Sequence, residues 1–231
     1  MEDQLFVLVL ILAGAAVMVI VIAFAYLSER RRTEALAEIA GGLGFTFSPK
    51  DNEAFLRKFL SFHLFSRGRS KKITNLMRGT FSGVEVAIFD YRYVTRSGKS
   101  SHTWHQSVIC FEVQACMFPT FSLCPENVWH KFESALGEQD IDFGDYPAFS
   151  SRYLLRGNDE GAIRALFTPR LLEFYGTVKG AFAEGSGHLL MFYRRSHRVK
   201  PELIRAFLEE GAGLLSLFCP AAPVSMSLIR Y

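Results

Sequence analysis

The sequence predicts an α+β protein in which an N-terminal transmembrane helix precedes a mainly antiparallel sheet with helices packed on one face. Three observations lead there. A 23-residue apolar run, Leu5 to Leu27, opens the chain without a charge, an Asn, a Gln or a Pro. Three successive stretches, Ile73–Phe81, Val84–Val94 and His105–Ala115, carry strand-type residues with Gly turns between them. Segments of helical spacing, opened by Asp, Asn or Pro, then alternate with further strand-like runs.

At 1.5 Å per residue the apolar run reaches about 34 Å, enough for a hydrocarbon core of about 30 Å with some tilt. Fifteen of its residues are Leu, Ile, Val or Phe. Together these favour insertion by about 5–9 kcal/mol, with no charge to oppose them. A cleaved signal peptide is the rival reading, because Ala23-Phe24-Ala25 resembles a cleavage site. Against it, the leading MEDQ is acidic and the apolar run is too long. Glu2 and Asp3 precede the run while Arg30, Arg31 and Arg32 come after it. The positive-inside rule therefore predicts a single pass through the cell (inner) membrane, with the N-terminus outside and the bulk of the chain cytoplasmic. Cys110, Cys116, Cys124 and Cys219 form no CxxC pair and no compact framework. They are expected to be free thiols in a reducing compartment.

Beyond the anchor (residues 1–27), Ser28–Ala40 is strongly helix-forming. It is expected to extend the membrane helix as a juxtamembrane element, residues 28–43, until Gly41-Gly42 stops it. The soluble domain spans residues 44–231 and starts about 20 Å beyond the bilayer by helix rise. A short strand at Phe45–Phe47 and a helix over Asn52–Phe62 open it. A helix from Pro125 and a strand at Arg152–Leu155 come after the three strands. Two helices around Pro169, a hairpin Val178–Phe182 with Leu189–Arg194, and a last helix from Pro201 complete it. DNEAFLRKFLS at Asp51 and NDEGAIRALFT at Asn158 echo each other, as do RGTFSG and KGAFAEG. The echo suggests a pseudo-duplication with halves 44–150 and 151–231. Leaving out Glu2 and Asp3, 26 basic face 21 acidic residues, a net of +5. That suits a domain beside an anionic leaflet and falls short of a nucleic-acid binder.

Candidate chemistry is sparse. Gly98-Lys99-Ser100 has the end of a P-loop, but Tyr93 stands where its first Gly belongs and the tripeptide joins two strands. Asp140, Asp142 and Asp145, with Glu138, form an acidic loop that could take a divalent cation; its spacing fails the EF-hand pattern. His102 and His105 lie three apart in a strand, so they point to opposite faces. No Ser sits in a Gly-x-Ser-x-Gly elbow, and nothing calls for a cofactor. The most plausible functional surface is basic: Arg30, Arg31 and Arg32 with Arg67, Arg69, Lys71 and Lys72 as lipid-surface contacts.

The run ITNLMRGTFSGVEVAIFDYRYVTRSGKSSHTWHQSV, then FSLCPE, then DIDFGDYPAFSSRYLLRG, resembles an uncharacterised family of bacterial membrane-anchored proteins. The resemblance covers nearly all of the soluble part and implies a bacterial source. It carries no activity and no site. The sequence thus points to a non-enzymatic, membrane-tethered interaction module at the cytoplasmic face, with the bilayer and an unidentified protein or lipid headgroup as partners. A metal-dependent hydrolase built on the Asp140–Asp145 loop with His102 or His105 is the alternative.

Overall fold

Nothing breaks the helix-forming pattern before Gly41-Gly42. In the computed structural model the first helix, α1, accordingly runs from Glu2 to Gly42, about 62 Å by helix rise. The structure describes residues 2–50, 53–98, 100–126 and 140–223. The expected helix from Pro125 lies outside them beyond Glu126, as do Asp51, Asn52, Lys99, Glu138 and the tail beyond Pro223. Apolar side chains from Phe6 to Leu27 pack on nothing, so this is one helix long and apolar enough to cross a membrane. Its far end does pack: Leu36 and Ala40 are buried. The helix closes where Gly44 takes φ +71 and the Phe45 N–H reaches back to the Ala40 carbonyl at 2.8 Å.

Eight strands come next. They are β1 (Thr46–Ser48), β2 (Arg69–Phe81), β3 (Val84–Ser97), β4 (Ser100–Glu112), β5 (Phe118–Pro125), β6 (Tyr153–Gly157), β7 (Ala181–Gly187) and β8 (Leu189–Arg194). They form one sheet in the order β1-β2-β3-β4-β8-β7-β5-β6, with every pairing antiparallel. The α+β class and the antiparallel sheet are those the sequence predicts.

The first face of the sheet (Val86 and Ile88 of β3; Ile109 and Phe111 of β4; Leu190 and Phe192 of β8) carries the main core. Over it lie the end of α1 and four further helices: α4 (Pro147–Ser150), α5 (Glu160–Leu166), α6 (Pro169–Thr177) and α7 (Ile204–Phe218). Gly211 lets α7 settle on the sheet, since a Cβ there would meet Ile109 Cδ1 at 2.9 Å. The expectation of helices on one face needs correcting. The opposite face is covered too, by α2 (Glu53–Arg57), α3 (His63–Ser66) and the phenylalanines around them. The reason is in the strands: Phe89, Tyr91 and Tyr93 make the second side of β3 as apolar as the first. Phe65 covers it, its ring 4.3 Å from that of Tyr91.

Two further expectations change. Cys116 and Cys219 are joined as a disulfide, Cα atoms 6.3 Å apart across a separation of 103 residues. The bond ties the β4–β5 loop to the end of α7. Only Cys110 and Cys124 are thiols, both buried. The sequence echo also does not produce two matching halves. β5 belongs to the first half by position, yet it lies between β7 and β6. The echoing helices α2 and α5 sit on opposite faces, with Phe55 packed on the second core and Ile163 in the first.

Candidate functional site

α1 meets the sheet through a buried ionic cluster centred on Asp90. β3 alternates through Ile88, Asp90 and Arg92 on the side facing α1, so chain geometry alone turns this carboxylate toward the helix. Asp90 is 6% exposed. Arg32 of α1 grips it with Nε and Nη2, each at 2.8 Å. Ser107 Oγ donates at 2.8 Å, Asn75 Nδ2 at 3.0 Å and Arg198 Nη2 at 3.3 Å. Asn75 can reach because β2 shifts register between Thr74 and Met77 and Asn75 takes φ +51, a conformation Asn tolerates.

The cluster extends along the helix. Arg198 also holds Glu29 at 2.6 and 2.8 Å, Thr33 Oγ1 bonds Asn75 Oδ1 at 3.0 Å, and Arg32 Nη1 bonds the Val199 carbonyl at 2.8 Å. Burial pushes the Asp90 carboxyl up, but the bonds and charge of Arg32, with Arg198 and Asn75, outweigh it and hold the group below its ordinary value. Hydrogen bonds from Arg198 likewise lower Glu29. A carboxylate with five donors has no lone pair left for chemistry. What the arrangement does is join: α1, β2, β3, β4 and the segment after β8 meet at one residue.

The basic residues expected to contact lipid separate accordingly. Arg32 is turned inward to Asp90 and leaves that set, because an arginine in a buried bidentate pair cannot also reach a headgroup. Arg30 is exposed beside Glu34, Arg31 is exposed, and Arg69 and Lys72 are exposed at the start of β2. Lys71 and Arg67 are half-buried.

The acidic loop and the histidines do not converge. Asp140 pairs with Arg156 of β6, and Arg164 binds the Asp142 carbonyl at 2.8 Å. His102 and His105 lie on β4, four strand positions from β6, about 19 Å at ordinary strand spacing. Among the described residues no group of three or more His, Cys, Asp or Glu is placed to hold a metal. Gly98 sits at φ +58 in the turn between β3 and β4. Burial raises both remaining thiols, Cys124 to about 12.

Two features escaped sequence reasoning altogether. Glu184 on β7 is 1% exposed beneath α3; it accepts the Leu64 N–H at 3.0 and 3.2 Å and the Tyr193 hydroxyl at 2.7 Å. Burial pushes it up to about 7 against those bonds. A groove of about 310 Å³ opens nearby on the same face, floored by Phe55, Phe59, Ala87 and Cys110 and rimmed by Lys58, Arg78, Glu85 and Glu112. Its two cations and two anions balance. Asp90 had a visible signal, a lone carboxylate inside the aromatic run of β3. Glu184 had none beyond an acid in a small-residue strand.

No family model and no curated protein matches the chain. Among solved structures, its fold is shared by the crystal structure of the mycobacterial trehalose monomycolate transport factor A, TtfA. The TM-score is 0.60 at 14% identity, over 87% of this chain and 99% of that one. At that identity the likeness establishes the fold.

Proposed function

We propose that this protein is a non-enzymatic, membrane-tethered module that holds its sheet at a fixed attitude to the bilayer and there engages a partner. The observation that carries this reading is the unbroken passage of α1 from the apolar span to the Asp90 cluster. A flexible tether would serve an enzyme with a soluble substrate equally well; a rigid one restricts where the sheet can face. The fold neighbour is described as a transport factor, which also favours a non-catalytic role.

Complementation tests the reading. A short Gly-Ser insert after Ser28 leaves Glu29 and Arg32 in place but frees the domain from the helix direction. It is expected to abolish rescue of a deletion strain, whereas Asp140→Asn with Asp142→Asn is expected to rescue fully. Rescue by the Gly-Ser chain would sink the positional role; loss with the aspartate pair would restore the hydrolase.

For the side of the membrane, two observations pull apart. Arg30–Arg32 favour a cytoplasmic domain, while the Cys116–Cys219 pair suits an oxidising compartment. Charge acts during insertion, before Cys116 and Cys219 can meet to form their bond, so we place the domain in the cytoplasm. A reporter fused after Tyr231 is expected to read cytoplasmic in intact cells; a periplasmic signal would reverse the orientation.

A further inference from the structure

The register of β2, β3 and β4 shows which end of the sheet lies toward the apolar half of α1. Thr33 of α1 touches Asn75, while the helix end at Ala40 leads into Phe45, whose ring lies against Gly79. Decreasing numbers in α1 and in β2 therefore run the same way, toward the membrane. One step beyond the Thr74–Asp90–Ser107 row on that side lies the row Lys72–Arg92–His105, all three exposed. Two strand residues are about 7 Å. The five residues from Arg32 back to Leu27 span about 7.5 Å of helix. The row thus stands level with the point where α1 becomes apolar.

Beyond Tyr93, Val94 and Trp104, the tip of the β3–β4 hairpin carries Arg96 among polar residues, Thr95, Ser100, Ser101 and His102. From Tyr91 to Gln106, and from Ser66 to Lys72, the sequence holds no Asp or Glu. Lys72 and Arg92 sit directly opposite each other, a like-charge pair that costs stability unless an anion lies between them. The strand aromatics cannot supply a stacking platform for nucleic acid here, since Tyr91 and Tyr93 point to the other face and are buried under α3.

We propose that this rim (Arg69, Lys72, Arg92 and Arg96) docks on the anionic headgroups of the bilayer that α1 crosses, a second membrane contact beside the helix. The proposal rests on α1 being a rigid membrane span, as in the functional reading. It extends the contact from the β2 start to the β3–β4 hairpin, and it excludes Arg32.

The test uses the full chain in nanodiscs of phosphatidylcholine alone or mixed with phosphatidylglycerol. A fluorescent amino acid at Ser101 reports quenching by a nitroxide fixed on the lipid headgroup. Quenching is expected to be stronger with phosphatidylglycerol. The variant Lys72→Gln/Arg92→Gln/Arg96→Gln is expected to lose that gain, about fivefold in the docking equilibrium per residue removed. Equal quenching in both lipids, or no effect of the triple variant, overturns the proposal; so does displacement of the rim from lipid by a short RNA at physiological salt. Spin labels at Glu38 and Thr80 separate the two ideas. A narrow distance distribution without a lipid response defeats the headgroup contact alone, and a broad one defeats the rigid span beneath it.

Discussion

Asp90→Ala is expected to destabilise the domain by about 3–5 kcal/mol, the usual cost of stripping one partner from a buried pair. The carboxylate neutralises Arg32 and, with Glu29, Arg198. Without it, two guanidinium groups face a low-dielectric junction with one acid between them. For a folded domain of this size the loss corresponds to a drop in melting temperature on the order of 10 °C. Arg32→Ala should cost less, because Arg198, Asn75 and Ser107 still serve Asp90. Arg32→Met/Asp90→Leu should recover much of the loss, since a well-packed apolar pair can replace an ionic one. Urea unfolding of the full chain in detergent measures all three. A single-variant effect below about 0.5 kcal/mol would mean the cluster does not hold α1 to the sheet. Asp90 ionises below its ordinary 3.8 when folded, so its contribution is complete above that value and fades only as pH falls through the lower folded value.

Glu184 and His63 should produce opposing pH dependences that hide each other. Glu184 rises from 4.5 to about 7 on folding, chiefly through burial. Its stabilisation is complete below 4.5 and is lost as pH climbs to about 7, because the unfolded chain releases the proton first. His63 falls from 6.5 to about 4, through burial and then the charges of Arg67 and Arg156. With this histidine, stability rises between about 4 and 6.5. The wild-type chain should therefore look nearly flat between pH 4.5 and 6.5. Glu184→Gln should unmask a rising slope and His63→Gln a falling one, each approaching about 1.4 kcal/mol per pH unit. Between pH 4.5 and 8 the difference between wild type and Glu184→Gln should change by about 3 kcal/mol. Urea midpoints at several pH values decide it: a constant difference would show that Glu184 is not carried protonated under α3.

Much of the architecture was legible in the chain. Alternating residues in β3 and β4, the turn at Gly98, Pro169 between α5 and α6, and Pro201 ahead of α7 all act locally, and each element formed close to where its pattern lies. The site was less legible. Arg30, Arg31 and Arg32 are chemically identical in sequence. Each residue turns the helix by about 100°, so only the rotation at which α1 docks brings Arg32 to Asp90. Cys116 and Cys219 stand 103 residues apart, and no local pattern relates them. β5 joins the far side of the sheet because its partners come later in the chain.

By itself the sequence determined the long apolar helix, its extension toward Gly41-Gly42, the strands, and the basic character of the domain behind the helix. These depend on side-chain hydropathy and backbone preference within one or two turns of each residue. Tertiary structure alone decided which arginine is buried, which end of the sheet lies toward the apolar half of α1, that both sheet faces are covered, and that Glu184 is enclosed beneath α3. Those outcomes depend on contacts between residues tens of positions apart, whose pairing exists only once the sheet has closed against α1.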